Sequence, residues 1–283
     1  MTPPNPRVPA RRPAAGRLHL ACVAAAGALA FAGAALAVRP LRAQQAPLTL
    51  MTWNVGTLNP FAYRLPASHE DDVVRAVAAE APDVVALQEV GSAAQARRVQ
   101  DALRARGLDY DLTVARSVVS RHDGRLTATL HPPGLGATLI VAPSADAEMA
   151  VVSTARVAIV NVHGPANGGH RARARYFDAV RRWAAQAGVG SVVVAGDFNL
   201  GPGYGAGLSL VLPWAWRTDR ATFSGLLASF PEYASIGSTT FYGLAYDHVM
   251  ATPGTRLRGV RRVRGHKRGL MDHDPVRAEV EAR

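Results

Sequence analysis

The sequence predicts one α/β domain, preceded by an N-terminal segment of different composition. From residue 48 onward, short apolar runs alternate with longer segments of helical periodicity, the pattern of an α/β fold. The chain has 283 residues, of which 48% are hydrophobic, enough to build one large core. Its one cysteine, Cys22, lies in the N-terminal segment, so the domain itself has neither a disulfide nor a zinc–thiolate site.

The predicted strands are short runs rich in Val, Leu, Ile and Ala. Most are apolar throughout, which is typical of strands buried inside a fold. Helical segments separate several of them, as an α/β domain requires. The strands are predicted at residues 48–55, 83–90, 137–142, 150–152, 156–162, 191–195, 246–251 and 276–280.

Three helices are predicted between these strands. The first is capped by Ser68 and runs to Glu80, with acidic residues in its first turn that complement the helix dipole. The second is capped by Ser92 and stops at Gly107. The third covers residues 169–186 and carries apolar side chains at helical spacing.

Residues 1–43 are predicted to be a signal peptide or an N-terminal membrane anchor. A proline-rich stretch with four arginines precedes an uncharged run at 18–38. Ala35-Leu36-Ala37 fits a cleavage site, whereas the apolar run approaches the roughly 20 residues that span a bilayer. More arginines precede the run than follow it, so residues 44–283, the predicted catalytic domain, are expected to lie outside the cytoplasm, secreted or anchored.

The positive charge of the chain belongs partly to this targeting segment. The net charge is +11, and because six of the positive charges belong to residues 1–43, residues 44–283 carry +5. A basic cluster remains at residues 256–268. It predicts either contact with a polyanion or a solvated basic hairpin.

Polar side chains follow or precede the apolar strands at several points. Asp197 and Asn199 come after the apolar run at 191–195, and on an extended segment they point to the same side. Asp272 and His273 stand just ahead of the strand at 276–280. Loops at strand ends are where rigid scaffolds present reactive groups, so the two sites together predict a catalytic cleft.

Four further residues lie at comparable positions, and each alone has an ordinary structural explanation. Asn54 is of a type common in turns, and Glu89 is of a type common at the surface end of a strand. His163 precedes Gly164, and Asp247 follows a tyrosine. The six motifs, in chain order, are Thr52-Trp53-Asn54-Val55, Leu87-Gln88-Glu89-Val90, Val162-His163-Gly164, Gly196-Asp197-Phe198-Asn199, Tyr246-Asp247 and Asp272-His273.

This ordered set resembles the endonuclease/exonuclease/phosphatase superfamily, the DNase I-like metal-dependent phosphodiesterases. The resemblance runs from about Leu48 to the C-terminus. It implies a DNase I-like four-layer α/β sandwich, with two packed β-sheets flanked by helices and a site at one edge. It also implies a Mg²⁺-dependent hydrolase acting on phosphate ester bonds, for which Mn²⁺ is an alternative metal. Because the fold hosts several activities, it does not fix the substrate.

The resemblance assigns roles to eight residues. The metal ligands are expected to be Asn54, Glu89 and Asp272, with Glu89 the principal one. The catalytic residues are expected to be His163, Asp197, Asn199, Asp247 and His273.

Within that catalytic set, each residue has a different task. Asp197 would orient or deprotonate the attacking water, and Asn199 would donate to a phosphoryl oxygen. Asp247 would orient and charge His273, which would contact the scissile phosphate. His163 would also contact the phosphate, but the sequence identifies no acid partner for it, and Glu148 is only a candidate. His248, His266 and Asp274 are excluded from the site.

Besides the basic cluster at 256–268, one further segment bears on the substrate. The segment Leu208–Trp216 is apolar and carries two tryptophans, so it predicts either a membrane-interface contact or a core helix with a packed turn. The favoured function is hydrolysis of a phosphodiester or phosphoanhydride, on a lipid-linked or extracytoplasmic substrate, by a monomer that associates with a membrane. The alternatives are a secreted Mg²⁺-dependent endonuclease or exonuclease acting on DNA or RNA, and an inactive binding scaffold.

Overall fold

The fold comprises two six-stranded sheets with helices on their outer faces. The computed structural model describes residues 47–56, 65–117, 125–142, 147–166, 169–202, 213–240, 243–265 and 272–282. All of them belong to one structural unit, Leu41–Arg283. The predicted targeting segment at 1–43 lies outside the described residues.

Strands are the more numerous elements. In the described ranges they are β1 (Leu48–Asn54), β2 (Val84–Val90), β3 (Asp111–Arg116), β4 (Leu126–His131), β5 (Gly136–Ala142), β6 (Ala147–Ser153), β7 (Val157–His163), β8 (Ser191–Asp197), β9 (Glu232–Tyr233), β10 (Asp247–Ala251), β11 (Thr255–Arg262) and β12 (Val276–Ala282). The helices described are α1 (Glu70–Glu80), α2 (Ala93–Arg104), α3 (Gly169–Gln186) and α4 (Pro213–Ser229). None of the helices described is both long and apolar enough to cross a bilayer.

Each sheet is mixed. The first has the strand order β11-β12-β1-β2-β4-β3, and the second has the order β5-β6-β7-β8-β10-β9. The central pair of the first sheet, β1 and β2, is parallel, and so is the pair β7 and β8 in the second. Antiparallel strands flank both pairs.

Three apolar clusters hold the layers together. One joins α1 and α2 to the first sheet, and a second joins α3 and α4 to the second sheet. The third fills the space between the sheets, where residues such as Leu50, Val193 and Val276 are buried. The four-layer sandwich implied by the sequence resemblance is therefore confirmed.

A buried polar network also crosses the interface between the sheets. Gln88 on β2 donates to Asn161 Oδ1 on β7 at 2.8 Å and to Thr52 Oγ1 at 3.1 Å. Asn161 Nδ2 donates in turn to Thr129 Oγ1 on β4 at 3.1 Å. All four side chains are buried, so these bonds fix how the two central strand pairs face each other.

Most predicted elements are present, but the predicted cap of the first helix is wrong. Ser68 lies in a short 3₁₀ turn at 67–69, and α1 starts two residues later, with His69 at its N-cap and no side-chain cap bond. Ser92 does cap α2, because its Oγ accepts from the backbone N–H of Gln95 at 3.1 Å. That helix ends at Arg104, and the turn to Gly107 follows it.

The strands β3, β4, β9 and β11 were not among the predicted elements. Both β3 and β11 are edge strands of the first sheet, and β11 carries four arginines. An edge strand is half exposed and tolerates polar side chains, so its sequence lacks the apolar run that marks a buried strand. Helix α4 starts at Pro213 and includes both tryptophans of the apolar segment. Trp214 is exposed, so it lacks the packing that the alternative of a core helix with a packed turn requires. Residues 208–212 of the segment lie outside the described residues.

Candidate active site

The predicted site residues gather at one edge of the sandwich. Asn54 ends β1 and Asp197 ends β8, while Asp247 begins β10 directly opposite Asp197 in the antiparallel register. His273 precedes β12, which runs antiparallel to β1. Parallel strands therefore deliver their carboxyl ends, and antiparallel strands their amino ends, to the same edge.

Glu89 reaches this edge through an irregularity in β2. The pairing of β2 with β4 shifts register between Leu87 and Val90, and Glu89 has a left-handed backbone with φ of 60°. Bulges of this kind re-aim a side chain, and a non-glycine residue at positive φ is a strained position of the sort found at functional sites. A side chain at Gly56 would have its Cβ only 1.7 Å from Glu89 Oε2, so glycine leaves the space that Glu89 occupies.

Asn54 and Asn199 are both tied to Asp197. Asn54 Nδ2 donates to Asp197 Oδ2 at 2.8 Å, and the backbone N–H of Asn199 donates to Asp197 Oδ1 at 2.7 Å. Asn199 itself lies at φ of 47°, and its Nδ2 donates to the Gly164 carbonyl at 2.9 Å. The Asp197 carboxylate is thus held by a hydrogen bond to each oxygen.

His163 lies between a serine and a carboxylate. Ser117 Oγ is 2.7 Å from His163 Nδ1, and His163 Nε2 is 3.5 Å from Glu89 Oε1. The backbone N–H of His163 donates to the Tyr176 hydroxyl at 3.0 Å. Nε2 makes no hydrogen bond to any described residue, although the side chain is buried. When the serine hydroxyl donates to Nδ1, the ring proton sits on Nε2 and faces the acidic side chains.

Arg125 adds a buried positive charge beside Glu89. Its Nη1 is 3.3 Å from Glu89 Oε1, and the side chain is only 4% exposed. Sequence reasoning missed both Arg125 and Ser117, because each lies next to an edge of a strand that was not predicted. The sequence did predict Glu89 as a site residue. It did not show that Arg125, which is distant in sequence, lies beside Glu89 at the end of β2.

His273 and Asp247 form the pair that the sequence predicts. Nδ1 of His273 is 2.7 Å from Asp247 Oδ2. The other nitrogen, Nε2, lies 3.9 Å from Asp197 Oδ2 and 3.9 Å from Asp272 Oδ1. Trp53 Nε1 donates to the His273 carbonyl at 3.0 Å, which fixes the backbone on which the imidazole stands. Asp272 is half-buried at the rim of this group.

Comparisons with known proteins agree with this arrangement. The model of the Endonuclease/Exonuclease/phosphatase family matches residues 51–267. This span is well over half of the chain and contains six of the eight candidate site residues, from Asn54 to Asp247.

The chain belongs to this family.

Solved structures of the same family have the same fold. An endonuclease/exonuclease/phosphatase from Bacteroides vulgatus is 16% identical, with a TM-score of 0.61, and the match covers 84% of this chain and 100% of that chain. One from Beutenbergia cavernae is 18% identical, with a TM-score of 0.62, over 84% of this chain and 72% of that chain. The 3′ phosphatase NExo from Neisseria, bound to a product DNA hairpin, is 20% identical, with a TM-score of 0.54, over 83% and 99% of the two chains. No curated protein matches the sequence.

Burial shifts the pKa values of the two acidic side chains Glu89 and Asp197. Burial raises the pKa of Glu89 to about 7 even though Arg125 opposes the shift, and Asp197 adds to it. Burial likewise raises the pKa of Asp197, against the stabilising charge of His273. Two acids at this edge are therefore short of positive charge, a condition that a bound cation would relieve.

The two histidines of the site respond in opposite directions. Burial, together with the positive charges of Arg125 and His273, lowers the pKa of His163 to about 3, so its imidazole is neutral at pH 7. Burial alone would lower the pKa of His273, but Asp247, with help from Asp197 and Asp272, raises it to about 10. One edge of the sandwich therefore presents a neutral imidazole and an imidazolium.

The side chains at this edge fit a hard divalent cation. Glu89 and Asp197 supply carboxylate oxygens, the donors that Mg²⁺ prefers. Asn54 Oδ1 accepts from the Gly56 N–H at 2.9 Å, which leaves this amide oxygen one lone pair for a cation. Ligand atoms of Asp197, Asp247 and His273 also lie within 4.8 Å of one another. That second cluster is a poorer metal site, because an imidazolium paired with Asp247 has no free lone pair to offer. The oxygens around Glu89 are the better candidates.

Glu148 is not the partner of His163. Its carboxylate accepts from the backbone N–H of Arg116 at 3.2 Å and from Arg116 Nη2 at 3.1 Å. The group that touches His163 Nδ1 is instead the hydroxyl of Ser117, and the nearest acid to its Nε2 is Glu89. Glu148 therefore contacts Arg116, the residue before Ser117, and not His163 itself.

The residues excluded from the site lie apart from its chemistry, as far as the structure describes them. His248 is buried among Phe198, Phe223 and Tyr233, and its Nε2 is 2.8 Å from the Leu200 carbonyl. Asp274 faces Arg262 at 3.5 Å. His266 lies outside the described residues.

Three of the five arginines that the structure describes in the basic cluster near the C-terminus pair with acids. Arg258 pairs with Glu281 at 3.0 Å, and Arg261 pairs with Glu80. Arg262 pairs with Asp274. These contacts favour the interpretation of β11 as a solvated basic strand over a polyanion site. Lys267 and Arg268 lie outside the described residues.

Proposed function

We propose that this protein is a metal-dependent phosphoesterase that hydrolyses a phosphodiester or phosphoanhydride by in-line attack of water. The observation that carries the proposal is the set of buried, oppositely charged side chains at one sandwich edge, where Asp197 lies 3.9 Å from both His163 Nε2 and His273 Nε2. Phosphoryl transfer needs a group that orients water, donors for the phosphoryl oxygens and compensation of negative charge. The family membership and the intact site also argue against an inactive scaffold.

In this proposal Glu89, with Asn54 and Asp272, holds Mg²⁺, and Mn²⁺ could replace it. The bound ion would neutralise charge on the phosphoryl oxygens. Glu89 sits where its charge is poorly compensated by Arg125 alone, which supports a ligand role. Asp272 lies farther out, within 3.9 Å of His273 Nε2, and so could complete the same side of the site.

The remaining site residues handle water and phosphate. Asp197, whose pKa is raised by burial, would orient the attacking water and accept its proton. His273, kept charged by Asp247, would contact the scissile phosphate or protonate the leaving oxygen. His163 would donate from Nε2, the nitrogen that faces the acids. Asn199 already gives one amide N–H to Gly164, so the other would serve the phosphoryl oxygen.

A lipid-linked or extracytoplasmic substrate is the favoured finer proposal. It is supported by the predicted targeting segment and by Trp214, whose side chain is 56% exposed at the start of α4 rather than packed in the core. The second candidate is a secreted nuclease. The structural likeness to NExo, which is bound to a DNA hairpin, favours it, whereas the neutralised arginines of β11 do not.

The metal role is tested by Glu89→Gln. A neutral amide binds Mg²⁺ poorly, so this variant should lose most activity with its fold intact, and Asp109→Asn, an exposed acid outside the site, should not. EDTA should abolish wild-type activity, and Mg²⁺ or Mn²⁺ should restore it. The measurement is hydrolysis of a panel containing plasmid DNA, RNA, sphingomyelin, inositol phosphates and polyprenyl pyrophosphate. Full activity in EDTA would exclude the metal mechanism.

A further inference from the structure

The N-terminal ends of α3 and α4 carry an unusual combination of side chains. Two tryptophans and four exposed arginines lie within the first eight residues of these two helices, with Trp214 and Trp216 on different sides of α4 because they are two positions apart. We call this end of the helix pair the tryptophan–arginine face, and its members are Trp214, Trp216, Arg171, Arg175, Arg217 and Arg220.

This face adjoins the active-site edge. Tyr176, in the second turn of α3, accepts the hydrogen bond from the backbone N–H of His163, and Arg173 Nη1 donates to the Pro165 carbonyl at 3.1 Å. The start of α3 is therefore fixed against the end of the strand that carries His163. The two helices also begin side by side, because the rings of His170 and Trp214 lie 4.7 Å apart.

The positive charge of the face is not cancelled within the helices that carry it. The first turn of each helix contains no acid. Asp219, the acid of the following turn in α4, is buried and pairs with buried Arg173 at 2.7 Å. The four exposed arginines are thus left in excess over acids. Helical side chains lean toward the N-terminus, which brings Arg217 and Arg220 toward the level of the tryptophans.

The two indoles complete an arrangement suited to a membrane interface. Trp214 is 56% exposed, and only one other large hydrophobic side chain among the described residues, Leu139, is comparably exposed. Trp216 is half-buried, and the Arg220 guanidinium lies 5.2 Å from its ring centroid. Indoles prefer the headgroup level of a bilayer, and arginines beside them attract anionic headgroups. A ring already covered by a guanidinium offers a base less surface for stacking, so a membrane fits better than a nucleic acid.

We infer that the tryptophan–arginine face docks on an anionic lipid bilayer and thereby sets the active-site edge against the membrane surface. The inference rests on the proposed function in one respect, since it names where the substrate would be presented. The contact itself needs no catalysis. It is also separate from any contact made by the N-terminal segment, which contains no tryptophan.

The contact can be measured by tryptophan fluorescence in the full chain. Of its four tryptophans, Trp53 is fully buried and Trp183 packs against the core of α3, so lipid contact is reported by the other two. Brominated phospholipids in vesicles of phosphatidylcholine with phosphatidylglycerol should quench the wild-type protein. The double variant Trp214→Phe/Trp216→Phe should lose that quenching. Equal quenching in wild type and variant, or none in either, would overturn the inference.

The role of charge is tested by comparing two double variants that each remove two exposed arginines. Arg217→Gln/Arg220→Gln should reduce the quenching on anionic vesicles to roughly the level found with pure phosphatidylcholine, because each arginine contributes to attraction by anionic headgroups. Arg97→Gln/Arg106→Gln removes two exposed arginines near or on α2, in the opposite helical layer, and should leave the quenching unchanged. Equal losses in the two double variants would show that only net charge matters and would refute a docking face.

Two further readouts separate the possible failures. Tight binding of a single-stranded oligonucleotide that is lost in Arg217→Gln/Arg220→Gln, without vesicle quenching in the wild type, would assign the face to nucleic acid instead. Hydrolysis of a small soluble phosphodiester tests the proposed function alone. Hydrolysis without quenching would refute the membrane contact, and quenching without hydrolysis of any panel substrate would refute the proposed function.

Discussion

The protonation of His273 depends on one neighbouring carboxylate. Its pKa is raised to about 10 by Asp247, against the effect of burial, so the imidazolium persists well above neutral pH. Asp247→Asn keeps the hydrogen-bonded shape but removes the charge. The variant should therefore lose its charged imidazole at a lower pH than the wild type. In a pH–rate profile with a soluble substrate, the alkaline limb should shift toward neutral pH, and an unmoved limb would contradict the pairing.

The same pair predicts non-additive losses. Removing His273 with His273→Ala should cost on the order of 10²–10⁴ in rate if it acts on the phosphate or leaving group. Adding Asp247→Asn should then cost little more, since residues that act as a unit are not additive. Both single variants and the double variant should be measured with one substrate. Multiplicative losses would show that the two residues act independently.

The variant Gly56→Ala tests whether activity requires the observed position of the Glu89 carboxylate. A Cβ at this position would lie 1.7 Å from Glu89 Oε2, so Gly56→Ala must displace the carboxylate. Activity should fall severely because the proposed metal site depends on that oxygen. Gly190→Ala is the matched control, because its Cβ would meet only the Arg156 carbonyl at an ordinary 3.7 Å. Activity in Gly56→Ala equal to that of the control would mean that Glu89 need not keep this position.

At the scale of elements, α3 and α4 are joined by a buried ion pair. Arg173 and Asp219 make two hydrogen bonds, at 3.0 and 2.7 Å, and both side chains are about 5% exposed. Arg173→Met would leave Asp219 as an uncompensated buried charge and should lower the free energy of unfolding by about 3–5 kcal/mol. Denaturant unfolding measures this loss.

A second ion pair in α3 provides the comparison. Arg181 and Asp178 are 3.1 Å apart but 39% and 50% exposed, so solvent screens them. Asp178→Asn should therefore cost only about 0.2–1 kcal/mol. Combining Arg173→Met with Asp219→Leu should recover part of the loss, because no buried charge is then unpaired. If Arg173→Met were as mild as Asp178→Asn, the buried pair would not hold the helices together.

At the scale of the whole molecule, the N-terminal segment predicts the location of the domain. Residues 1–43 carry six arginines, no acid and one long apolar run, which predicts export of the domain or its anchoring outside the cytoplasm. Reporters fused after Arg283 should be active only outside the cytoplasm. If the segment is cleaved, N-terminal sequencing should place the new end near residue 38 or 44. A reporter active only in the cytoplasm would rule out this location.

The contact partner of one histidine could be predicted from the sequence, and that of the other could not. Asp247 and His273 are 26 positions apart, and their order alone, compared with the family, predicted a pair that the structure places 2.7 Å apart. The partner of His163 could not be predicted in that way. Ser117 follows β3, an edge strand whose polar sequence does not show the apolar run of a buried strand.

By itself the sequence determined the α/β class and most of the buried strands, because buried strands need continuous apolar runs. The eight candidate site residues were predicted from the resemblance of their ordered motifs to the family, since most of them alone have an ordinary structural explanation. Only the tertiary structure decided which charges face one another. It placed Arg125 beside Glu89 and Ser117 beside His163, and it paired three of the four arginines of β11 with acids. These contacts join residues that are distant in sequence or lie on edge strands. Their pKa values and pairing depend on burial and distance, which residue order does not contain.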